Sequence, residues 1–380
     1  MNEKKRKAGR VVWSILLIVA IAAAAILGIW HKTTAAVFHN LTQPHIRVPE
    51  TDDWSGGESY LKVPYSEVSE SDYVDLYVPS NVKNPPLLIL VHGGGFVTND
   101  SQSKQAVLMY RYFRDHGYAC ASVNYRLAQE APFPGAIEDV KACIRFLRAN
   151  GDTYGYDSER MALFGESAGG YLAIAAAMTN DAEFDSVPYI GENEEAAGDS
   201  SDIDKDEKAE EGKGTGAEGD SVSGEGVNPA IRVLIDYYGD VDFMSLDSQW
   251  KEIGYSSLVR KIANGWIQNA LPKGYTDIHS YWMRKDISKM SRDELAPMLL
   301  NNYIDENLRQ DSDLSVYISH GDADLTVPVT QSRDLYAKVS GIIGTGRTKL
   351  HIVKNAGHAG DEMYSDRELE KIDQFIQAHM

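Results

Sequence analysis

The chain of 380 residues carries 56 acidic and 37 basic side chains, which gives a formal net charge of −19 at pH 7. Nucleic-acid binding requires a basic surface that neutralises phosphates, and the basic residues cluster only within residues 1–10, so this class of function is excluded. The hydrophobic fraction of 43% supports one large core and excludes a chain that is disordered throughout.

The N-terminus is predicted to cross a membrane. Residues 11–30 form an uncharged apolar run that is long enough, as a helix, to span a hydrocarbon layer of about 30 Å. The basic tail of residues 1–10 favours a cytoplasmic N-terminus and an extracytoplasmic location for everything after the helix. The alternative is secretion after cleavage of a signal peptide near Thr34, Ala35 and Ala36. Residues 31–59 are interpreted as a linker, and residues 60–380 as the exported folded domain.

From residue 72 onward, β-type runs alternate with helical patterns. This alternation predicts an α/β fold with a mostly parallel central sheet and helices on both faces. The runs LLILV at 87–91 and MALF at 161–164 are apolar throughout, which is typical of central strands buried on both faces. The other predicted strands are 73–78, 118–123, 231–236, 314–318 and 349–353. The predicted helices are 103–115, 136–149, 168–179, 330–340 and 364–378.

Two segments interrupt this pattern. Residues 191–226 contain 13 acidic and 3 basic side chains and no aromatic residue, so they are predicted to be a disordered acidic insert, either a plain solvated loop or an interaction tract. Residues 240–310 are predicted to be a cap-like excursion over the sheet edge. Five of its aromatic residues either line a substrate cleft or pack in the core: Trp250, Trp266, Tyr281, Trp282 and Tyr303.

Cys120 and Cys143 are the two cysteines of the chain, too few for a disulfide framework. We interpret both as small buried hydrophobic residues, with a disulfide between them as the alternative in an oxidising compartment. The chain also lacks the GxxxxGK, HExxH and CxxC motifs, so neither a cofactor nor a metal is predicted.

A nucleophile motif follows the predicted strand 161–164. Residues 165–169 read GESAG, which matches GxSxG at a strand-to-helix turn. In this context the glycines permit a sharp turn that presents a serine hydroxyl above the sheet. Ser167 is therefore the predicted nucleophile.

A serine hydroxyl needs a base, and the base needs a carboxylate that orients it. His358 lies in the loop after the strand 349–353 and is the predicted base, whereas His351 lies inside that strand and is interpreted as structural. The loop after the strand 314–318 offers Asp322 and Asp324. We select Asp324, because Asp322 occupies the tight turn and Asp324 lies far enough along the loop to reach His358.

A glycine-rich loop follows the strand 87–91. It reads HGGGF at 92–96, and such a loop brings backbone amides close to a substrate oxygen without an intervening β-carbon. The predicted oxyanion donors are the amides of Gly94, Gly95 and Ala168. His92 and Gly93 are predicted to support this loop.

Together these motifs resemble the hormone-sensitive-lipase-like and BD-FAE-like branch of the α/β-hydrolase esterases. The resemblance covers about residues 60–378 without the acidic insert and rests on LYVP at 76–79, HGGGF at 92–96, VNYRLA at 123–128, FPGAIEDV at 133–140, GESAGG at 165–170, HGDADLTVPV at 320–329 and GHA at 357–359. It implies an α/β-hydrolase fold, acyl transfer through an acyl-enzyme on Ser167, short- or medium-chain carboxylic esters as substrates, and no cofactor.

Two other interpretations stay open. An exported serine peptidase of the prolyl-oligopeptidase type shares the order Ser, Asp, His, although the HGGG loop favours an esterase. A catalytically inactive, membrane-tethered binding module is the interpretation from a different class. The sequence leaves the natural ester undetermined, since polysaccharide, lipid and small soluble esters all fit.

Overall fold

A computed structural model of the protein describes residues 48, 54–180, 183–191, 228, 231–254 and 265–380. The predicted tail 1–10, the predicted membrane helix 11–30 and almost all of the acidic insert 191–226 lie outside these residues. Within the described ranges, no helix has the length and apolar character needed to cross a bilayer.

In the described part of the chain, eight strands form one sheet. The strands are β1 (Gly57–Pro64), β2 (Tyr73–Pro79), β3 (Pro86–Val91), β4 (Ala119–Val123), β5 (Asp157–Glu166), β6 (Ile231–Tyr237), β7 (Ser315–Gly321) and β8 (Thr348–Val353). Their order is β1-β2-β4-β3-β5-β6-β7-β8. The pairs of β1 with β2 and of β2 with β4 are antiparallel, and the remaining pairs are parallel, which confirms the predicted mostly parallel sheet.

Helices cover both faces of this sheet, as predicted. The helices are α1 (Lys104–Asp115), α2 (Gly135–Ala149), α3 (Gly151–Tyr154), α4 (Ala168–Ala177), α5 (Leu246–Ile253), α6 (Gly265–Ala270), α7 (Ile278–Met283), α8 (Arg292–Leu295), α9 (Leu300–Asn307), α10 (Thr330–Ile343) and α11 (Asp366–His379). Helices α2, α4 and α10 pack on one face and contribute to the larger core cluster, while α1 and α11 pack on the other face.

Strand β3 shows why a continuous apolar run marks a central strand. Leu87, Ile89 and Val91 belong to the core on one face, whereas Leu88 and Leu90 belong to the core on the other. All five side chains are buried, because a parallel strand with helices on both sides has no solvent-facing side. The prediction of central strands at 87–91 and 161–164 is therefore confirmed.

The direction of chain progression reverses at β3. Strand β4 pairs with one edge of β3, and β5 pairs with the other edge. In open α/β sheets, such a reversal opens a crevice beyond the carboxyl ends of the strands. The loop 92–96 and the turn 165–169 follow β3 and β5 directly, so both lie at this crevice.

Strand β1 was not predicted, and it begins at Gly57, inside the segment interpreted as a linker. It is the edge strand of the sheet, and all of its residues are exposed or only partly buried. An edge strand that is half exposed needs no continuous apolar run, so the hydrophobic pattern did not reveal it.

The described part of the segment 240–310 contains the short helices α5 to α9, which were not predicted individually. Trp282, Met298 and Leu300 of this segment join the same core cluster as the sheet, so it packs directly on the α/β layer. Among its aromatic residues, Trp250, Tyr281 and Trp282 are buried, Tyr303 is partly buried, and the side chain of Trp266 lies outside the described part. Of the two predicted roles for these aromatic residues, packing in the core is the one that Trp250, Tyr281 and Trp282 have.

Cys120 lies in β4 and Cys143 in α2, and both are free, fully buried thiols. Burial raises the pKa of both thiols above the ordinary value for cysteine. The interpretation of both as core residues is confirmed, and the disulfide alternative is wrong.

Asp236 gives a test of how this core depends on pH. Its carboxyl is fully buried in β6, accepts one hydrogen bond from the amide of Gly239 at 3.2 Å, and has a second oxygen without a partner among the described residues. Burial raises its pKa to about 7. The folded state therefore keeps a proton that the unfolded chain releases near its ordinary value of 3.8, so this group lowers stability as the pH rises from about 4 to about 7.

We expect Asp236→Asn to stabilise the protein relative to wild type by an amount that is larger at pH 8 than at pH 5. The measurement is the free energy of unfolding in denaturant at the two pH values. Asp152→Asn, an exposed position in α3 with the same change in formal charge, serves as the control. An Asp236→Asn effect of equal size at both pH values would contradict the expectation.

Candidate active site

Ser167 occupies a sharp turn between β5 and α4. Its backbone has φ 52° and ψ −120°, a conformation that residues other than glycine rarely adopt. Its amide donates a hydrogen bond to the carbonyl of Tyr237 at 2.8 Å, which ties the turn to the end of β6. The side chain is partly exposed, so its hydroxyl can meet a ligand from solvent.

The two glycines of the GxSxG motif are required by close backbone contacts. A β-carbon at Gly165 would lie 2.1 Å from the carbonyl oxygen of Gly169, and one at Gly169 would lie 2.2 Å from that of Val91. Neither separation is sterically possible. Only glycine at these positions lets α4 start directly against the end of β3.

Three predicted side chains meet at this edge of the sheet. The Nε2 atom of His358 lies 2.9 Å from Oγ of Ser167, and its Nδ1 atom lies 2.7 Å from Oδ2 of Asp324. The residues come from the loops after β5, β8 and β7. An imidazole in this position can accept the serine proton while the carboxylate fixes its tautomer.

Asp324 is fully buried and well supplied with hydrogen-bond donors. Its Oδ1 accepts from the amides of Thr326 at 2.7 Å and Val327 at 3.0 Å. Burial alone would raise the pKa of Asp324, but His358 and His320 outweigh it and hold the pKa well below its usual value. The carboxylate is therefore ionised at any pH where the protein is expected to work.

The sequence motif left Asp322 as the alternative, and the structure gives it a different position. Its Oδ1 accepts a hydrogen bond from the amide of Asn355 at 2.5 Å. The amide of Asp322 also donates to the carbonyl of Val353 at 3.1 Å. Asp322 thus joins the loop after β7 to the loop that carries His358, and it is Asp324 that contacts the imidazole.

His320 is a neighbour of this group that the sequence did not single out. Its Nε2 lies 3.2 Å from Oδ2 of Asp324, and its Nδ1 lies 2.8 Å from Oγ of Ser332. The ring is fully buried at the end of β7. Its place four residues before Asp324 was visible in the sequence, but its contact depends on how the loop folds back.

The glycine-rich loop after β3 has the backbone that only glycine allows. Gly94 has φ 117°, and a β-carbon there would lie 2.2 Å from the carbonyl oxygen of Thr98. Within the described part of the chain, the amides of Gly94, Gly95 and Ala168 donate to no protein acceptor. They are thus available to a ligand oxygen, and their role as oxyanion donors stays a prediction.

His92 lies against the backbone of this loop. Its Nδ1 donates to the carbonyl of Gly93 at 2.7 Å, and its ring stacks on Tyr125 with the ring centres 4.3 Å apart. Burial lowers the pKa of His92 to about 4, so the ring is neutral at pH 7. Behind the loop, Phe96 stacks on Trp282 at 4.0 Å between ring centres, which connects the loop to α7.

A buried carboxylate beside the nucleophile was also not predicted. Glu166, the residue before Ser167, is only 3% exposed. Its Oε1 accepts from the amide of Gly93 at 3.2 Å, and its Oε2 accepts from the hydroxyls of Tyr238 at 2.5 Å and Tyr364 at 2.7 Å. The two tyrosine hydroxyls also contact each other.

The imidazole of His358 is the basic centre of this edge. Partial burial opposes its protonation, but the negative charge of Asp324 outweighs this and raises the pKa of His358 above the ordinary value of 6.5. The carboxylate of Asp324 therefore makes this imidazole a stronger base than a free histidine side chain. Across the described residues, no group of three or more His, Cys, Asp or Glu side chains is arranged to hold a metal ion.

The BD-FAE family model matches residues 74–339 of this chain. That range contains the glycine-rich loop, the serine turn and Asp324, and it ends before His358.

Curated relatives match shorter segments. Esterase LipC of Mycobacterium tuberculosis is 38% identical over 103 residues, which cover 27% of this chain and 25% of LipC. The hormone-sensitive lipase of Mus musculus is 37% identical over 92 residues, which cover 24% of this chain and 12% of the lipase. The match thus spans about a quarter of the length of LipC and a smaller share of the mouse enzyme.

Solved structures match over most of the chain. A truncated carbohydrate esterase from gut microbiota has a TM-score of 0.61 and 22% identity, and the alignment covers 88% of this chain and 99% of that one. Esterase B of Lactobacillus rhamnosis has a TM-score of 0.55 and 18% identity, with 94% of each chain covered. At these identities the likeness establishes the α/β-hydrolase fold.

Proposed function

This chain belongs to the BD-FAE family of α/β-hydrolase esterases, and from that premise we propose that it is a serine carboxylic-ester hydrolase with Ser167, His358 and Asp324 as its catalytic triad. The observation that carries the proposal is the continuous hydrogen-bonded chain from the hydroxyl through the imidazole to the carboxylate. The curated relatives with the matching segments are named esterase and lipase.

In the first half of the proposed reaction, Oγ of Ser167 attacks the ester carbonyl carbon while its proton passes to Nε2 of His358. The imidazolium that forms is stabilised by Asp324. The carbonyl oxygen becomes an oxyanion and accepts hydrogen bonds from the amides of Gly94, Gly95 and Ala168. When the intermediate collapses, the carbon–oxygen bond to the alcohol breaks and the imidazolium returns its proton to the alcohol.

In the second half, water takes the place of the alcohol. Its proton passes to Nε2 of His358 as its oxygen attacks the acyl carbon on Ser167. The same amides accept the second oxyanion, and collapse releases the carboxylic acid and restores the serine hydroxyl. Neither half requires a cofactor. We infer short- or medium-chain acyl groups as substrates from the family resemblance.

The two alternative functions have less support. The peptidase shares the triad order, but the relatives and the family model favour ester hydrolysis. An inactive binding module does not require an ionised Asp324 or a serine held at positive φ, and such features are costly to keep without a function.

We expect Ser167→Ala to abolish hydrolysis of p-nitrophenyl acetate and butyrate, with a loss of at least about a thousand-fold, because no other group can form the acyl-enzyme. Initial rates with both esters measure this, alongside a proline-containing peptide anilide. Ser248→Ala, an exposed position in α5, is the matched control and should retain wild-type rates. Cleavage of the anilide alone by the wild-type chain would instead establish the peptidase.

The acid residue is tested by a matched pair in one loop. Asp324→Asn should lower kcat for p-nitrophenyl butyrate by about a thousand-fold or more, because the amide no longer holds His358 in the required tautomer. Asp322→Asn removes the same charge two residues away and should retain kcat within about ten-fold, since its oxygen serves only a backbone contact. Equal losses in both variants would count against Asp324 as the acid.

We also propose that residues 11–30 anchor the enzyme in a membrane with its catalytic domain outside the cytoplasm. The uncharged run and the basic residues of 1–10 support this proposal. The full chain should remain in the membrane pellet after an alkaline wash and should be degraded by protease added to intact cells. A mature protein that begins near residue 37 would establish signal cleavage instead.

A further inference from the structure

We propose that Glu166 is a positioning residue for ester hydrolysis: its buried carboxylate holds the glycine-rich loop and the imidazole of His358 in their reacting arrangement. This inference rests on the proposed function, because it assigns a role within the same reaction. Glu166 does not touch the substrate in this scheme; it acts through Gly93, Tyr238 and His358.

The first observation is that one carboxylate joins three chain segments. Glu166 itself lies at the end of β5, and its oxygens accept from Gly93 in the loop after β3, from Tyr238 after β6 and from Tyr364 in the turn before α11. Removal of the carboxylate would leave two buried hydroxyls and one amide to find new partners. The amide of Gly93 is the closest of these to the proposed oxyanion donors, since Gly94 follows it.

The second observation is backbone strain on both sides of the network. Ser167 has φ 52° and Tyr238 has φ 42°, and neither is glycine. Such a backbone conformation is energetically unfavourable for a residue with a side chain and persists only where surrounding contacts hold it in place. The amide of Tyr238 bonds to the carbonyl of Ser319 at 2.9 Å, and its hydroxyl bonds to Glu166. The carboxylate therefore contributes to holding both strained residues.

The third observation concerns the charge near the imidazole. The ring centres of Tyr238 and His358 lie 4.7 Å apart, and the hydroxyl of the same tyrosine donates to the carboxylate of Glu166. Its negative charge raises the pKa of His358, after the larger effect of Asp324. The charged groups that act on His358 are Asp324 in the loop after β7, Glu166 at the end of β5 and Asp240 after β6, and the ring of Tyr238 lies against it. His320 contacts Asp324, and Tyr364 donates to Glu166.

This charge acts in the direction that the reaction needs. His358 becomes positively charged when it takes the proton of Ser167. The negative charge of Glu166, added to that of Asp324, therefore stabilises the transition state more than the ground state. A bare carboxylate next to the oxyanion would oppose the reaction. Here the amide of Gly93 and two phenol groups donate to it, and these three hydrogen bonds disperse its negative charge.

The test is Glu166→Gln in the full chain, which keeps the shape of the side chain and removes its charge. We expect kcat for p-nitrophenyl butyrate to fall by about 10- to 100-fold with KM within about two-fold. The acid limb of the kcat/KM profile and the NMR titration of His358 should both move to lower pH by about half a unit or more. Glu368→Gln, a buried carboxylate in α11 bonded to His351 and Lys371, is the control and should change neither.

Two further variants separate charge from packing. Glu166→Asp keeps the charge on a shorter side chain, so its acid limb should stay near that of wild type while kcat lies between wild type and Glu166→Gln. Tyr364→Phe removes one donor and keeps the carboxylate, so its acid limb should not move to lower pH.

The outcomes distinguish this inference from the proposed function. A wild-type chain without ester turnover would refute both. A wild-type chain that turns over esters, with a Glu166→Gln variant of unchanged kcat and unchanged His358 titration, would refute the role of Glu166 alone. The same holds for a Glu166→Gln variant that loses activity only because its melting temperature falls, with the titration of His358 unchanged.

Discussion

The direct backbone contact between the start of α4 and the end of β3 is the constraint on which the rest of the site depends. It exists because Gly169 has no β-carbon where the carbonyl of Val91 passes. The same closeness brings Gly93 against the serine turn, where a β-carbon would lie 2.9 Å from the carbonyl oxygen of Glu166. The proposed nucleophile and the proposed oxyanion donors thus lie close together because β3 and β5 are neighbouring strands.

The parts of this arrangement that sequence could predict are those encoded locally. Strand β3 is apolar at every position because both of its faces are covered, and this pattern differs from that of an exposed strand. The serine turn and the glycine-rich loop are short motifs in which close backbone contacts leave no space for a β-carbon, so glycine is required. His358 and Asp324 were selected by their position after strands, which is a rule of chain order in this fold. Their catalytic roles stay predictions.

The parts that sequence missed depend on contacts between distant residues. Strand β1 is identified only by its pairing with β2, and the short helices of 240–310 are stabilised by the core on which they pack. Tyr238 and Tyr364 lie 72 and 198 residues after Glu166 along the chain, so no local pattern links the three residues. Tyrosine after a strand and glutamate before a serine are each unremarkable alone.

The backbone conformation of Ser167 presents a hydroxyl at the proposed active site, but it lowers the stability of the fold. At φ 52° and ψ −120°, glycine has a lower conformational energy than serine. Selection for thermal stability alone would therefore favour glycine at this position. The protein retains a residue that its own backbone conformation disfavours. A Ser167→Gly form would lack the proposed nucleophile and would be free of this backbone strain. It is therefore a suitable starting point for a more stable, non-reactive version of the fold.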